Sequence, residues 1–307
     1  MSAVGELRKL KATGGRGTRQ QNKAAFFFLL PWFLGLAIIT VGPMLASLYL
    51  SFTKYNLLQP PVFNGLENIE RMFTDERLHA SLGVTFTYVL VSVPLQLALA
   101  LGLAVLLDRG VRGLSFYRSA FYLPSLIGGS VAIAVLWRTI FGTDGLFNQG
   151  LGVFGLQGQG WISEPSTALS TLIVLNVWTF GAPMVIFLAG LRQVPASLYE
   201  AASVDGASRW RQFFSVTLPL ITPIIFFNLV LQIIHAFQAF TQAFVVSSGT
   251  GGPADSTLFY SLYLYQRGFG AFDMGYASAL AWLLLLIVGA FTALNFWASK
   301  YWVFYDD

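Results

Sequence analysis

LGVTFTYVLVSVPLQLALALGLAVLL, residues 82–107, is a run of 26 residues without a charged side chain. An α-helix rises 1.5 Å per residue, so about 20 apolar residues cross the roughly 30 Å hydrocarbon core of a bilayer. A lone strand could not satisfy its backbone hydrogen bonds in lipid. The run therefore predicts a transmembrane helix.

Five further runs of similar length and polarity accompany it along the chain. The six predicted spans are Ala25–Leu50, Leu82–Leu107, Ala120–Phe141, Thr167–Leu191, Leu220–Val246 and Gly275–Trp297. They predict an all-α integral membrane protein with six transmembrane helices. In this organisation residues 24–307 form one transmembrane domain behind a basic arm, residues 1–23.

The composition excludes a soluble enzyme. Of 307 residues, 55% are apolar and 10% are charged, with a mean hydropathy of +0.65, whereas soluble domains carry roughly a quarter charged residues. The net charge of +4 comes from 18 scattered Lys and Arg, which favours a membrane over nucleic acid as the partner. The chain has no cysteine, which excludes disulfides, thiolate metal sites and a cysteine nucleophile.

The distribution of Lys and Arg predicts that both termini lie in the cytoplasm. That orientation places thirteen of these residues inside and leaves five outside, namely Lys54, Arg71, Arg77, Arg138 and Arg267. An excess of Lys and Arg is typical of cytoplasmic loops. On the cytoplasmic side only residues 192–219, between the fourth and fifth spans, are long enough to build structure. The basic arm is expected to lie near anionic headgroups of membrane lipid.

The spans hold almost no ionisable side chain, which limits what the chain can do by itself. His235 is the one titratable group at depth, whereas transporters driven by protons or sodium usually need intramembrane carboxylates or a polar ion site. The sequence contains no paired-histidine metal motif, no G-x-S-x-G elbow and no G-K-[ST] phosphate loop. We therefore expect a protein that is not an enzyme, holds no metal or cofactor, and takes its energy from another subunit.

A polar stripe runs along the fifth span. Its members recur at helical spacing and are Asn228, Gln232, His235, Gln238 and Gln242. They share an arc of roughly 120°, and in hydrocarbon such a face must contact other helices or a watery cavity. One interpretation is hydrogen bonding between helices, at about 0.6 kcal/mol per contact. The other is a pathway for a polar, uncharged solute, because carboxamides can replace water around hydroxyl groups.

Aromatic and carboxamide side chains on the fifth span and on other spans extend the pathway interpretation. Ring faces for the apolar patches of a sugar would come from Tyr88, Trp137, Trp178, Phe237 and Phe240. Asn176 and Gln96 are candidates for the same lining, although packing hydrogen bonds are the simpler interpretation of each. An anionic solute would need Arg or Lys at depth, so the residues favour a neutral ligand.

Residues 195–219 read PASLYEAASVDGASRWRQFFSVTLP and predict a helix, a turn and a second helix at the membrane surface. Pro195 can begin the first helix, and Gly206 can adopt the positive φ that ends it. Ser208 can cap the second helix. The alternative is an interfacial connector anchored by its aromatic side chains.

Three segments of this loop resemble a known family. Glu200-Ala201-Ala202, Asp205-Gly206-Ala207 and Leu218-Pro219-Leu220 resemble the EAA signature of permease subunits of binding-protein-dependent ABC importers. Gly251-Gly252-Pro253 and the segment 274–279 are similar to the carbohydrate-uptake branch, in particular its maltose-type and glycerol-phosphate-type first permeases. The resemblance covers about residues 25–307.

The resemblance implies a division of labour with other chains. The loop would form a coupling helix that docks on an ATPase, and the matched residues are Glu200, Ala201, Ala202, Asp205, Gly206 and Arg209. An ATPase dimer would hold ATP and Mg²⁺, a second permease would complete a heterodimeric pathway, and an extracytoplasmic solute-binding protein would deliver the solute. ATP binding would then rock the spans between inward- and outward-facing states.

The same resemblance places sugar contacts at Phe237, Gln238 and Thr241, where Thr241 departs from the acidic residue or asparagine of many relatives. The expected function is import of a sugar or oligosaccharide across the cytoplasmic membrane by alternating access. Two alternatives remain open: a non-sugar solute such as glycerol phosphate, a polyol or an amino acid, and a stand-alone facilitator or channel.

Overall fold

The computed structural model describes residues 26–110 and 112–304. The predicted basic arm, residues 1–23, lies outside the described residues. The described chain is helical apart from loops and one short hairpin, in which Thr53–Lys54 (β1) pairs antiparallel with Val62–Phe63 (β2). The predicted all-α class is confirmed.

Six stretches of helix are apolar and long enough to cross a membrane, provided that two bent helix pairs each count as one span. In chain order the helices are α1 (Phe26–Leu50), α2 (Glu67–Thr74), α3 (Glu76–Asp108), α4 (Leu114–Ile127), α5 (Val131–Ile140), α6 (Leu146–Val153), α7 (Pro165–Trp178), α8 (Gly181–Leu191), α9 (Ala196–Val204), α10 (Arg209–Gln212), α11 (Leu218–Leu220), α12 (Thr222–Phe237), α13 (Thr241–Val246), α14 (Tyr260–Tyr265) and α15 (Met274–Ser299), with π-helical turns at Leu36–Val41, Phe213–Thr217 and Gln266–Gly270. The predicted spans correspond to α1, α3, α4 with α5, α7 with α8, α12 with α13, and α15.

Helix α3 forms the centre of the bundle and packs against α7, α8, α12 and α14. Ala100 and Ala104 on α3 are fully buried, so neighbouring helices approach its backbone closely. Asp75 caps the first turn, because its Oδ1 accepts hydrogen bonds from the backbone N–H groups of Arg77 and Leu78, each at 3.1 Å. The central helix therefore begins at a defined polar anchor.

The third predicted span, Ala120–Phe141, consists of two helices, α4 and α5, that meet at 96°. Ser130 caps α5 by accepting a hydrogen bond from the Ile133 N–H at 3.3 Å. A Cβ added at Gly128 would lie 2.3 Å from Thr179 Cγ2, so a glycine is needed where the bend touches the end of α7.

The fourth and fifth spans are also interrupted. Helices α7 and α8 meet at 40°. The start of α8 touches α4 so closely that a Cβ added at Gly181 would lie 2.1 Å from Phe121 O. Helix α12 ends at Phe237 and α13 begins at Thr241, within the predicted span Leu220–Val246. The polar stripe is therefore carried by two helices and the turn between them.

Helix α1 lies at the edge of the bundle. It packs on α15, and none of the residues in its most apolar window is buried. An apolar surface of this length is compatible with lipid or with another apolar subunit, but not with water.

Candidate functional site

The loop between the fourth and fifth spans forms the predicted helix, turn and helix. Helix α9 begins directly after Pro195, and Gly206 has a φ of +75°. Ser208 caps α10 by accepting a hydrogen bond from the Arg211 N–H at 3.4 Å. The predicted local structure of this loop is confirmed.

Side-chain hydrogen bonds hold the two parts of the loop together. The Tyr199 hydroxyl lies 2.9 Å from Thr217 Oγ1, and Gln212 Nε2 donates to Ser203 Oγ at 3.0 Å. The π-helical turn Phe213–Thr217 continues from α10 into α11, directly before α12. The loop is thus a folded unit with an almost continuous helical connection to the fifth span.

Helix α9 presents its side chains to the surroundings and contains no buried residue. Of the predicted coupling residues, Ala202 is half-buried, and those exposed are Glu200, Ala201, Asp205, Gly206 and Arg209. Neither Glu200 nor Asp205 takes part in an ion pair between described residues. Val204 at the end of the helix is 88% exposed. Exposed acids beside an exposed aliphatic residue form a surface that a second protein can cover.

The residues of the polar stripe become more exposed from the start of α12 to its end. Asn228 is 1% exposed, and its Nδ2 donates a hydrogen bond to Ile224 O of the same helix at 3.0 Å. Gln232 is half-buried, whereas His235 and Gln238 are exposed. The second part of the stripe is therefore the part accessible to a solute in this conformation.

The turn between α12 and α13 lies against the bend between α4 and α5. Gln242 Nε2 donates a hydrogen bond to Gly128 O at 3.2 Å, and α13 packs on α5. Gln238 and Thr241 belong to the same turn. Interrupted helices whose freed backbone groups line a cavity form the solute sites of many membrane transporters. Sequence reasoning missed the bend at 128–130, although the Gly-Gly pair within an apolar run is a turn signal.

The predicted aromatic contacts differ in their availability. Tyr88 and Phe237 are buried, and the Tyr88 ring centroid lies 4.5 Å from that of Phe259. Trp137 and Trp178 lie 6.0 Å apart between ring centroids. The other three predicted aromatic side chains, Trp137, Trp178 and Phe240, are half-buried. These three rings, of the five predicted, have surface available to a solute in this conformation.

Gln96 and Asn176 belong to a hydrogen-bond network between helices. Gln96 Nε2 donates to Thr179 Oγ1 at 2.9 Å, and Asn176 Nδ2 donates to Ser92 Oγ at 3.1 Å. Ser125 Oγ donates to Thr179 O at 2.8 Å, which extends the network to α4. Both carboxamides are engaged by neighbouring helices, and this favours the packing interpretation for this pair.

A charged and aromatic cluster, here called the Asp75 cluster, comprises Asp75, Tyr263, Arg267 and Tyr276 at the end of the bundle where α3 begins. Asp75 Oδ2 accepts hydrogen bonds from the hydroxyls of Tyr263 and Tyr276, the latter at 2.8 Å, and lies 3.5 Å from Arg267 Nη2. Burial alone would raise the pKa of the Asp75 carboxyl, but the hydrogen bonds from the tyrosines outweigh burial and hold that pKa below its ordinary value. Burial, together with the hydrogen bond to Asp75, raises the pKa of Tyr263 to about 12.

Two further ion pairs flank the Asp75 cluster. Arg71 Nη1 lies 2.7 Å from Asp273 Oδ2, and Arg77 donates to both carboxylate oxygens of Asp255, at 2.7 and 3.0 Å. These pairs join residues 202 and 178 positions apart, so no local sequence pattern indicates them. They tie the segments around the start of α3 to those between α13 and α15.

A family model matches most of the chain, and curated proteins match nearly all of it. The model of binding-protein-dependent transport system inner membrane components matches residues 77–301. The chain is 55% identical over 294 residues to the probable ABC transporter permease protein YesP of Bacillus subtilis (strain 168), covering 95% of each protein. It is 31% identical over 288 residues to the lactose transport system permease protein LacF of Rhizobium radiobacter, covering 92% of this chain and 96% of LacF.

The fold is similar to that of a chain in the crystal structure of a bacterial alginate ABC transporter, solved in complex with an alginate pentasaccharide-bound periplasmic protein. The TM-score is 0.77 at 23% sequence identity, and the match covers 92% of this chain and 95% of the other. At this identity the likeness concerns the fold alone.

Proposed function

This chain belongs to the family of binding-protein-dependent transport system inner membrane components, and from that membership we propose that it carries a sugar or oligosaccharide into the cell as one half of an ABC importer pathway. It is a permease subunit, whose work is transport rather than catalysis. The observation that carries the proposal is the exposed helix α9, which connects through α10 and α11 to the fifth span and its accessible Gln238.

The coupling surface in this proposal is α9 with the turn that follows it. A separate ATPase dimer, which binds ATP and Mg²⁺, would contact the exposed residues Glu200, Ala201, Asp205, Gly206 and Arg209 and the half-buried Ala202. Since hydrogen bonds hold the loop together and its helical connection to α12 is nearly continuous, a displacement of α9 would move α12 with it. The ATPase would shift the permease between two states by contacting them differently.

A neutral hydroxylated solute fits the turn between α12 and α13. Gln238, Thr241 and Gln242 offer donors and acceptors there, and Trp137 and Trp178 offer ring faces nearby. LacF is named as a lactose transport permease, which supports a sugar as the class of solute. His235 is exposed in this conformation, as Gln238 is, and belongs to the accessible part of the pathway. In this proposal the remaining assigned residues contact the solute only after the spans move, and they are Tyr88, Asn176, Asn228, Gln232 and Phe237.

The proposed orientation places both termini and α9 in the cytoplasm. Its support is the excess of Lys and Arg at the α9 end of the bundle. The arginines at the opposite end have structural partners: Arg71, Arg77 and Arg267 each pair with an aspartate. Their presence outside is thus explained by packing of the loops rather than by the opposite topology.

The other partners in this proposal are a second permease and an extracytoplasmic solute-binding protein. The exposed apolar surface of α1 and of α5 supports a further apolar subunit, with lipid covering the rest. A second permease would close the pathway on the side that this chain leaves open.

Reconstitution in liposomes tests the proposal. The chain is combined with a second permease, an ATPase and a solute-binding protein from the same organism, and uptake of labelled lactose, maltose and longer oligosaccharides is measured with and without ATP. We expect ATP-dependent uptake of at least one sugar and none by the chain alone. Uptake by the isolated chain would contradict the coupling role. Uptake of glycerol phosphate, a polyol or an amino acid in place of sugars would contradict the assigned solute.

A further inference from the structure

A cavity of about 500 Å³ lies between α4 and α8, outside the proposed pathway turn. Its polar wall is formed by Ser115, Arg118, Ser119 and Tyr122 of α4, which recur at helical spacing on one face. Its apolar wall includes Val185 and Ile186 of α8. This volume is within the range of small-molecule sites.

The cavity exists because α4 and α8 touch closely at one point. Gly181 packs against Phe121 O, and Ser125 Oγ accepts a hydrogen bond from the Ala182 N–H at 2.8 Å. Most of the α4 residues that line the cavity precede this contact, and the α8 residues follow it. The cavity therefore lies toward the end of the bundle that carries α9.

The polar wall has the chemistry of an anion site. The guanidinium group of Arg118 and three hydroxyl groups line it, all on exposed residues, and no Asp or Glu is among the lining residues. Among the described residues, 26–110 and 112–304, no Asp or Glu forms an ion pair with Arg118. Arginine with adjacent hydroxyl donors matches the oxygen atoms of a phosphate group.

The surroundings of the cavity indicate a lipid. Helix α4 exposes an apolar row beside the polar wall, with Phe116, Leu123 and Leu126 between 52% and 73% exposed. Acyl chains can cover such a row while the headgroup lies over Arg118. Basic pockets between transmembrane helices on the cytoplasmic side are known to bind anionic headgroups.

We propose that this cavity binds the phosphate group of an anionic phospholipid in the cytoplasmic leaflet, with Arg118 as its main contact. The proposal depends on the orientation inferred above but not on the solute or the ATPase. A soluble phosphate would offer the same chemistry, so the two sources must be separated by experiment.

Native mass spectrometry of the full chain in mild detergent provides the measurement. Phosphatidylglycerol and phosphatidylcholine are added separately, and inorganic phosphate is added as a competitor. We expect phosphatidylglycerol to bind preferentially, and Arg118→Gln to weaken this binding about tenfold. Ile186→Trp, which fills the cavity without changing charge, should weaken it as well. Arg112→Gln, the matched control with the same charge change outside the cavity, should bind as the wild type does.

Two kinds of result would contradict a phospholipid site in this cavity. Displacement of the lipid by millimolar inorganic phosphate, or phosphate binding without lipid, would overturn the lipid assignment in favour of a soluble anion. Equal phosphatidylglycerol binding by the wild type, Arg118→Gln and Ile186→Trp would overturn the site itself. Because the measurement needs neither ATPase nor solute, its failure would leave the proposed transport function untouched, and a failure of transport would not affect it.

Discussion

Where α3 begins, Asp75 is 7% exposed and accepts hydrogen bonds from two tyrosines, whereas Glu200 and Asp205 at the α9 end are exposed and form no ion pair with a described residue. The Asp75 end joins distant loops through charges that the chain neutralises itself. At the α9 end, hydrogen bonds hold the loop together, but Glu200 and Asp205 have no ion-pair partner among the described residues. The charges at the Asp75 end serve the fold, and in the proposed coupling role Glu200 and Asp205 are available to a second protein.

The largest effect on uptake is expected for substitutions in the loop at the α9 end, which leave the Asp75 end unchanged. Gly206 has a φ of +75°, which proline cannot adopt, so Gly206→Pro should distort the turn after α9. Glu200→Lys reverses an exposed charge on α9. Each should lower ATP-dependent uptake by the reconstituted complex roughly hundredfold, since coupling energies between sites reach that size. Membrane insertion should stay unchanged in both variants, and the melting temperature should stay unchanged in Glu200→Lys, which leaves the backbone of the loop intact.

Gly155→Pro is the matched control for this variant. Gly155 also has a positive φ, +71°, and lies in the loop between α6 and α7 at the other end of the bundle. Its replacement should leave uptake intact. Wild-type coupling in Gly206→Pro would show that α9 is not the coupling surface.

The next effect concerns the Asp75 end and should appear in stability. Asp75→Asn keeps a helix cap but removes the charge that Tyr263, Tyr276 and Arg267 surround. We expect a loss of about 2 kcal/mol in unfolding free energy, seen as a lower melting temperature in detergent. Asp144→Asn changes an exposed aspartate and should have no such effect. Equal melting temperatures would contradict a structural role for the cluster.

The contribution of Asp75 to stability should depend on pH. The pKa of Asp75 is lower in the folded chain than its ordinary value of 3.8, so its stabilising contribution is present above that value and is lost as pH falls through the folded pKa. The difference in melting temperature between wild type and Asp75→Asn should therefore be constant near neutral pH and narrow in acid. A difference that widens in acid would contradict the assigned direction.

A smaller effect separates accessible from buried carboxamides in the middle of the bundle. Gln238→Leu should lower uptake about tenfold by removing one hydrogen-bonding group from the solute, and His235→Leu should act in the same direction. Gln96→Leu should instead lower stability by about 1 kcal/mol, because its partners lie on neighbouring helices. Unchanged uptake in Gln238→Leu would favour the packing interpretation of the stripe.

The smallest expected effect tests whether paired charges at the α9 end matter for folding. Arg192 lies 3.5 Å from Asp108, and both side chains are more than a third exposed. Arg192→Gln should change stability by less than about 0.5 kcal/mol. Arg77→Gln, at the bidentate pair with Asp255, should cost more, although still below about 1 kcal/mol. The reverse order of melting temperatures would contradict the contrast between the two ends.

Local sequence patterns predicted the parts of the molecule that depend on neighbouring residues. Six apolar runs indicated the spans, and Pro195, Gly206 and Ser208 indicated the helix, turn and helix of the coupling loop. These features depend on hydrophobicity over about 20 residues and on backbone preferences of single residues. The family followed from the same loop.

The assigned site residues were predicted less completely, because a helical wheel assumes a straight helix. The fifth span is interrupted after Phe237, so Asn228 is buried in packing while Gln238 is exposed at a turn. The bend at 128–130, against which Gln242 binds, depends on contact with Thr179 in another span. Spacing along one segment contains no information about such contacts.

The amino-acid sequence by itself determined that this chain is a six-span membrane protein with a helix, turn and helix between the fourth and fifth spans, since both features arise from composition and local geometry. The tertiary structure alone decided which polar residues are free to bind other molecules. Whether Asp75, Gln96 or Gln238 is satisfied depends on partners that are distant in the chain. Burial removes water from such groups, so each must find a partner within the fold or remain available for another molecule.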